Sequence, residues 1–208
     1  MPTPATRPGK IVCVGRNYAA HAKEMGNDVP REPLLFLKPP SSVIGPGDAI
    51  VLHPMSQHVE YEGEIGVFIG RTLRNASEAD ATAAIRGVAA VNDVTARDLQ
   101  KSDSQWTRAK GFDTFCPIGP EAPVPGDLAT LTVVTRVNGV ERQRASASQM
   151  VFTIPALVSY ISRVMTLEPG DLVLTGTPAG VGTLSAGDEV EVEIVGVSHV
   201  RNPVAASR

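Results

Sequence analysis

Cysteine is scarce in this chain: Cys13 and Cys116 are the two in 208 residues. They stand far apart, so they make no disulfide framework and suit a reducing compartment. Long apolar runs are missing as well. No stretch reaches the roughly 18 residues that read as a membrane-spanning helix. The opening residues, MPTPATRPGK, hold no apolar segment of the ~7–15 residues that mark a secretory signal. A soluble, cytoplasmic protein is the expectation. Basic clusters are also lacking: the net charge is −3, and Lys and Arg are dispersed. Neither nucleic acid nor a membrane is therefore expected as a partner. There is no G-x-S-x-G elbow, and Cys116 has no histidine beside it. Serine or cysteine hydrolase chemistry has little support.

What is present is enough apolar residue for a sizeable core, 42% of the chain against 20% charged. That composition excludes a disordered chain. The length suits one domain, with residues 1–9 as a loose Pro- and Thr-rich arm and 10–208 as a single catalytic domain. KIVCVG and PLLFLKPP read as strands, the second stopped by prolines. NYAAHAKEMGN reads as a short helix ending at Gly26. SEADATAAIRG predicts a helix with Ser77 as its N-cap and Gly87 at its end. TIPALVSYISRVM predicts a helix with Pro155 near its start and Leu157, Val158, Ile161, Val164 and Met165 on one face. TLTVVTRVNGVERQRAS predicts a hairpin turning at Asn138-Gly139. Four turns ending in Gly-Asp each lead into strand-like sequence, without the regular spacing of a repeat. Strands and helices do not alternate regularly, so a β-rich α+β fold is expected rather than a doubly wound parallel sheet.

The stretch VEYEGEIGVFIG puts Glu60, Glu62 and Glu64 at every second position of a strand-like run. Alternation places all three carboxylates on one face, with Tyr61, Ile65, Val67 and Ile69 on the other. Two such charges ~7 Å apart repel by about 2–2.5 kcal/mol at an effective dielectric of 20. A solvated strand face would tolerate that, and a divalent cation would remove it. Asp93, at the end of an apolar run, is either a further cation ligand or a helix cap. His21 and Glu24 stand three apart on the expected helix and so share a side. They make either a surface pair or a base with its orienting carboxylate. Lys110 sits among few other charges and reads equally as a buried or a surface lysine. GTPAGVG, residues 176–182, is a glycine-rich loop whose amides could bind an anion, without the lysine of a P-loop, and it reads equally as a plain turn.

Together the segments VGRNYAAHAKEMG, LFLKP, YEGEIGVFIG, NDVTARD, AKGFDTFCPIGP, MVFTIPALVSYIS and LEPGDLVLTGTPAGVG resemble, in order, the fumarylacetoacetate hydrolase family. The likeness spans roughly residues 10 to 195 and is nearest to the small acylpyruvate hydrolase and oxaloacetate decarboxylase branch. It implies a fold of mixed β-sheets in a sandwich-like roll with a few helices, and a homodimer. It implies Mg²⁺ or Mn²⁺ held by Glu62, Glu64 and Asp93, with Glu60 left unassigned. The acid/base pair falls on His21 and Glu24, on a helix that acts as a lid. Lys110 matches the active-site lysine. Arg16, Arg97, Gln100 and Thr177 match substrate-binding positions. Gly63 departs from the family, where a larger residue is common.

The activity implied is metal-dependent hydrolysis of acylpyruvate-type 2,4-dioxo acids, such as acetylpyruvate or fumarylpyruvate, to pyruvate and a carboxylic acid. Oxaloacetate decarboxylation, or isomerisation and decarboxylation of dienoate diacids in aromatic degradation, is the alternative on the same site. A catalytically silent binding protein would keep the fold without the chemistry. The substrate tail is expected to meet the loops Met25 to Pro33 and Met55 to Val59.

Overall fold

The structure, a computed structural model, describes residues 7–207. Most of the expected N-terminal arm, residues 1–6, lies outside the described residues; Pro8 within it is buried. The elements follow in chain order. First come β1 (Ile11–Gly15), α1 (Ala19–Glu24), β2 (Leu34–Lys38), β3 (Val43–Ile44), β4 (Ile50–Leu52), β5 (Val59–Tyr61) and β6 (Gly63–Ile69). Then come α2 (Glu78–Ala84), β7 (Ile85–Asn92), β8 (Thr95–Ala96), α3 (Arg97–Ser102), α4 (Thr107–Lys110), β9 (Cys116–Pro117) and β10 (Ala122–Pro123). The chain ends with β11 (Thr132–Val137), β12 (Val140–Ser146), α5 (Ile154–Val164), β13 (Leu172–Leu174), β14 (Gly182–Thr183), β15 (Glu189–Ile194) and β16 (Ser198–Ala206).

Two sheets carry the fold. One runs β10-β7-β6-β13-β1-β2 and the other β12-β11-β15-β16-β4. Most neighbours are antiparallel; β1/β13, β4/β16 and β3/β9 are parallel. This is the mixed, β-rich α+β arrangement that irregular strand and helix spacing implied. β6 is buried along its whole length, because both of its faces are covered. Ile65, Val67 and Ile69 enter a core shared with Val133, Val192 and Ile194 of the second sheet and with Leu157, Val158 and Ile161 of α5. Phe68, on the opposite face, packs with Ile11, Cys13, Leu172 and Cys116.

Local signals explain most boundaries. Ser77 caps α2 by accepting from Asp80 N–H, and Thr153 caps α5 by accepting from Ala156 N–H. Asn138 and Gly139 take φ of 52° and 76°, the double left-handed geometry of a tight hairpin turn. Two expectations need correction. α2 ends at Ala84, and Gly87 lies inside β7; the chain passes from helix to strand at Ile85 with ordinary negative φ, so no left-handed glycine is required. Val164 is 57% exposed, because the buried face of α5 is carried by Ile154, Leu157, Val158 and Ile161 one turn earlier.

Candidate metal centre and active site

β5 and β6 meet at Glu62, and the strand leads Glu60, Glu62 and Glu64 into the protein on one face. All three are buried, at 8%, 5% and 1% exposure. A solvated strand face is thereby ruled out. Asp93 follows directly after β7, whose Asn92 pairs with Gly63, and its own N–H donates to the Glu62 carbonyl at 2.8 Å. That register brings the Asp93 carboxylate beside the two glutamates. Asp93 caps no helix: Ala96 stands at the N-cap of α3. One carboxylate oxygen from each of Glu62, Glu64 and Asp93 lies within 4.8 Å of the others, so the three could hold a metal ion.

Four buried carboxylates, Glu60, Glu62, Glu64 and Asp93, face three buried cations, Lys38, Arg97 and Lys110. With every one of these groups ionised, one negative charge is left over. Lys110 Nζ bridges Glu62 at 2.8 Å and Asp93 at 2.6 Å. Arg97 spans Glu60 at 2.7 Å and Glu62 at 2.5 Å, which gives the third acid of the run a partner of its own. Glu60 also meets His58 at 2.9 Å. Glu64 pairs with no cation among the described residues; Gly176 N–H donates to it at 2.7 Å. Burial, then the neighbouring Asp93 and Glu62, pushes the Glu64 carboxyl well above its ordinary range. Burial acts the same way on Glu62, but Lys110 and Arg97 outweigh it and hold that carboxyl low. Burial disfavours the Lys110 ammonium, and Asp93 and Glu62 more than offset this, raising it. Asp93 Oδ1 lies 2.8 Å from Lys38 Nζ without an aligned hydrogen bond, leaving that oxygen with no hydrogen-bond partner. A leftover negative charge, an unpaired carboxylate and an orphaned carboxylate oxygen, all hard oxygen donors, fit a divalent cation such as Mg²⁺ or Mn²⁺.

A small cavity, about 60 Å³, opens over these acids. Arg16, His21, Glu62, Glu64, Arg97, Gln100, Lys110 and Thr177 line it. Asp93 and Glu24 are not among its walls; each contacts a residue that is, Asp93 through Lys110 and Glu24 through His21. His21 is 6% exposed, and its Nδ1 lies 3.1 Å from Glu24 Oε2. Glu24 in turn accepts from Gly180 N–H at 3.0 Å. The glycine-rich loop thus binds anions, and they are the protein's own carboxylates, Glu64 at one end and Glu24 at the other. Thr177 faces the cavity while its hydroxyl donates to the Gly63 carbonyl at 2.9 Å. Arg16 takes a φ of 59°, strained for a non-glycine residue, and has no acidic partner among the described residues. Of the two loops expected to meet a substrate tail, the first reaches the cavity through Met25 and Asn27; residues 55–59 are not among its walls.

The sequence did not single out four wall residues, Val14, Gly15, Phe36 and Trp106, or a lysine beside them. Phe36 and Trp106 close one side, edge to face at 5.2 Å. Gly15 lines the same wall, with the Trp106 ring 3.1 Å from where its Cβ would be. Lys38, 1% exposed, donates to the Lys110 carbonyl at 2.5 Å and the Val94 carbonyl at 3.2 Å. Strand alternation in LLFLK held the signal, since Phe36 and Lys38 share a face.

A mixed-sheet scaffold with a buried carboxylate triad that could hold a metal ion, close to a histidine–glutamate pair, fits a class of enzymes with a metal site. Residues 10–205 match the family described as fumarylacetoacetate (FAA) hydrolase, C-terminal. The chain belongs to that family. It is 43% identical to the mitochondrial oxaloacetate tautomerase FAHD2A of Homo sapiens, over 97% of this chain and 68% of that protein. It is also similar to the structure of 5-carboxymethyl-2-hydroxymuconate delta-isomerase from Mycobacterium smegmatis, at 45% identity and a TM-score of 0.89, covering 97% of this chain and 80% of the other. Fumarylpyruvate hydrolase from Pseudomonas aeruginosa, solved with Mn²⁺ and pyruvate, matches at 33% identity and a TM-score of 0.92, covering 99% and 94%.

Proposed function

We propose that this chain hydrolyses the carbon–carbon bond of acylpyruvate-type 2,4-dioxo acids, giving pyruvate and a carboxylic acid. The observation that carries the reading is the His21–Glu24 pair over the acid triad, because hydrolysis needs an activated water and the other chemistries of this site do not. Glu62, Glu64 and Asp93 would hold Mg²⁺ or Mn²⁺. The cation supplies Lewis-acid stabilisation of the charge that develops on a 2-oxo acid.

The remaining steps belong to side chains. Glu24 accepts from His21 Nδ1–H and leaves Nε2 as the basic nitrogen. Nε2 removes a proton from water as the oxygen attacks the distal carbonyl. Lys110, at the cavity wall, adds positive charge near the developing oxyanion. The C–C bond then breaks, the acyl half leaves as the carboxylic acid, and the pyruvate half leaves as its enolate. The proton held by His21 returns to that enolate carbon, which balances the reaction as substrate plus water. Arg16, Arg97, Gln100 and Thr177 would orient the dioxo acid. The cavity is far below the ~300–1,000 Å³ of ordinary ligand pockets. α1, which carries His21 and Glu24, would therefore swing away to admit substrate.

A second reading has its own support. The human relative is named an oxaloacetate tautomerase, and tautomerisation moves a proton between carbon and oxygen with no attacking water. His21 could serve that transfer unaided by the rest of the cycle. Pyruvate release from acetylpyruvate and from oxaloacetate, side by side with Mg²⁺ or with chelator, separates the two. Metal-dependent release mainly from acetylpyruvate supports the hydrolase, and His21→Ala should then abolish it while sparing metal binding. Release mainly from oxaloacetate would make the chain a decarboxylase. Release from neither, with enol–keto exchange of oxaloacetate intact, would favour the tautomerase.

A further inference from the structure

One buried polar side chain beside the site has no part in the chemistry above. Gln143, on β12, is 1% exposed. Its Oε1 accepts from the N–H of Gly63 at 3.0 Å, the residue between Glu62 and Glu64. Its Nε2 donates to Thr177 Oγ1 and to the Pro178 carbonyl, both at 2.8 Å. Thr177 Oγ1 passes the proton side of its hydroxyl on to the Gly63 carbonyl at 2.9 Å. A closed ring of hydrogen bonds therefore joins Gly63, Gln143 and Thr177.

The ring stands where a strand is missing. β13 pairs with β6 only as far as Gly66. Beyond that point the free edge of Gly63 has no strand beside it, and side chains from β12 and the glycine-rich loop take the strand's place. The same loop carries two anchors. Gly176 N–H holds Glu64 at 2.7 Å and Gly180 N–H holds Glu24 at 3.0 Å. Gly180 lies directly on β12: a Cβ there would sit 2.1 Å from the Arg142 carbonyl and 3.3 Å from Gln143 Cγ. Gln143 thus lies between the segment that bears the metal-type carboxylates and the amide that fixes the carboxylate behind His21.

We propose that Gln143 is a positioning residue that locks the 62–64 segment and the 176–180 loop into one unit, setting the spacing between the acid triad and the His21–Glu24 pair. It is not among the residues that line the cavity. The roles of the triad and the pair rest on the function proposed above, and the test is built to fail separately from it.

The test uses Gln143→Met, which keeps size and removes all three hydrogen bonds, and Gln143→Glu, which can accept from Gly63 but has no proton for Thr177 or Pro178. Three quantities are read: Mn²⁺ affinity of the metal-free protein by calorimetry, hydrogen exchange at the Gly63 and Gly180 amides, and steady-state kinetics. For Gln143→Met, Mn²⁺ affinity should fall about tenfold, in the range seen when partners of metal ligands are removed. Exchange at both amides should quicken, and kcat should fall about a hundredfold with little change in KM, as for a small misplacement of catalytic groups. For Gln143→Glu, Gly63 should stay protected while Gly180 exchanges faster and kcat falls. A merely structural glutamine would lower stability and leave Mn²⁺ affinity and Gly180 exchange at the parent values, and that result overturns the proposal. If Gln143→Met does not fold, unchanged Gly180 exchange in Gln143→Glu overturns it equally. If the parent turns over no 2-oxo acid, the proposed activity falls, and affinity and exchange still decide the role of Gln143.

Discussion

Replacing Gly63 with alanine tests how tightly the acid triad is held. A Cβ at that position would lie 1.9 Å from Thr135 Oγ1, 3.2 Å from Gln143 Oε1 and 3.3 Å from Thr135 Cβ. Real contacts of this kind stop near 3.0 Å, so strand or threonine must yield by about 1 Å. Neither is free to do so. Thr135 is fully buried on β11, between β12 and β15. Gly63 is tied through its N–H to Gln143 and through its carbonyl to Thr177. Overpacking of this kind costs about 1–3 kcal/mol, which for a chain of this size is a fall in Tm of roughly 2–12 °C. Because Glu62 and Glu64 flank the displaced residue, Mn²⁺ affinity should weaken too. Thr135 Oγ1 has no hydrogen-bond partner, so removing it forfeits no bond. Gly63→Ala with Thr135→Ala should therefore recover most of the loss, whereas Gly63→Ala with Thr135→Val, which keeps a methyl in the hydroxyl's place, should not. Urea unfolding in chelator, at one protein concentration, with a Mn²⁺ titration of each variant, reads both effects. A single variant within 0.5 kcal/mol of the parent with unchanged Mn²⁺ affinity would refute the reasoning, as would equal rescue by alanine and valine. In this chain Thr135 occupies the space that a side chain at position 63 would need.

Three further outcomes follow from the same geometry. Glu64→Gln should stabilise the metal-free protein at neutral pH and abolish Mn²⁺ binding. The native carboxyl is raised above its ordinary 4.5, so its contribution to stability is full below that value and is lost as pH rises; the gain over the parent, read as Tm in chelator, should shrink towards pH 4–5, and a gain that grows on acidification would contradict it. Lys38→Met leaves Asp93 without one of its two ammonium neighbours and the Lys110 carbonyl without its donor; a loss of about 3–5 kcal/mol in chelator is expected, partly restored by Mn²⁺, and a loss below 1 kcal/mol would show that Lys110 suffices. Burial pushes the Cys116 thiol up to about 12 and the Cys13 thiol well above its usual range, so neither should react with a thiol reagent at pH 8 until urea unfolds the chain; prompt labelling of the native protein would contradict their burial.

Alternation and helical spacing were enough to read the parts of this site that lie within one element. Glu60, Glu62 and Glu64 share a face because strand side chains alternate, and His21 meets Glu24 because residues three apart on a helix are neighbours. The hairpin at Asn138-Gly139 and the cap at Ser77 are likewise local chemistry. What stayed hidden is set by contacts between residues far apart in sequence. Thr177 and Gln143 are 34 positions apart, Glu24 and Gly180 are 156 apart, and Gly176 and Glu64 are 112 apart. No spacing rule anticipates such pairs, so the glycine-rich loop read equally as a plain turn or as a site for an external anion. The same is true of burial: the residues around Lys110 left it equally buried or exposed and Lys38 was not singled out, and the enclosing sheets make both of them buried counterions for Asp93. The fold thus does two separate things for the site. Local rules choose which carboxylates face inward, and the long-range hydrogen bonds of the 176–180 loop decide how far the acid triad stands from the imidazole above it.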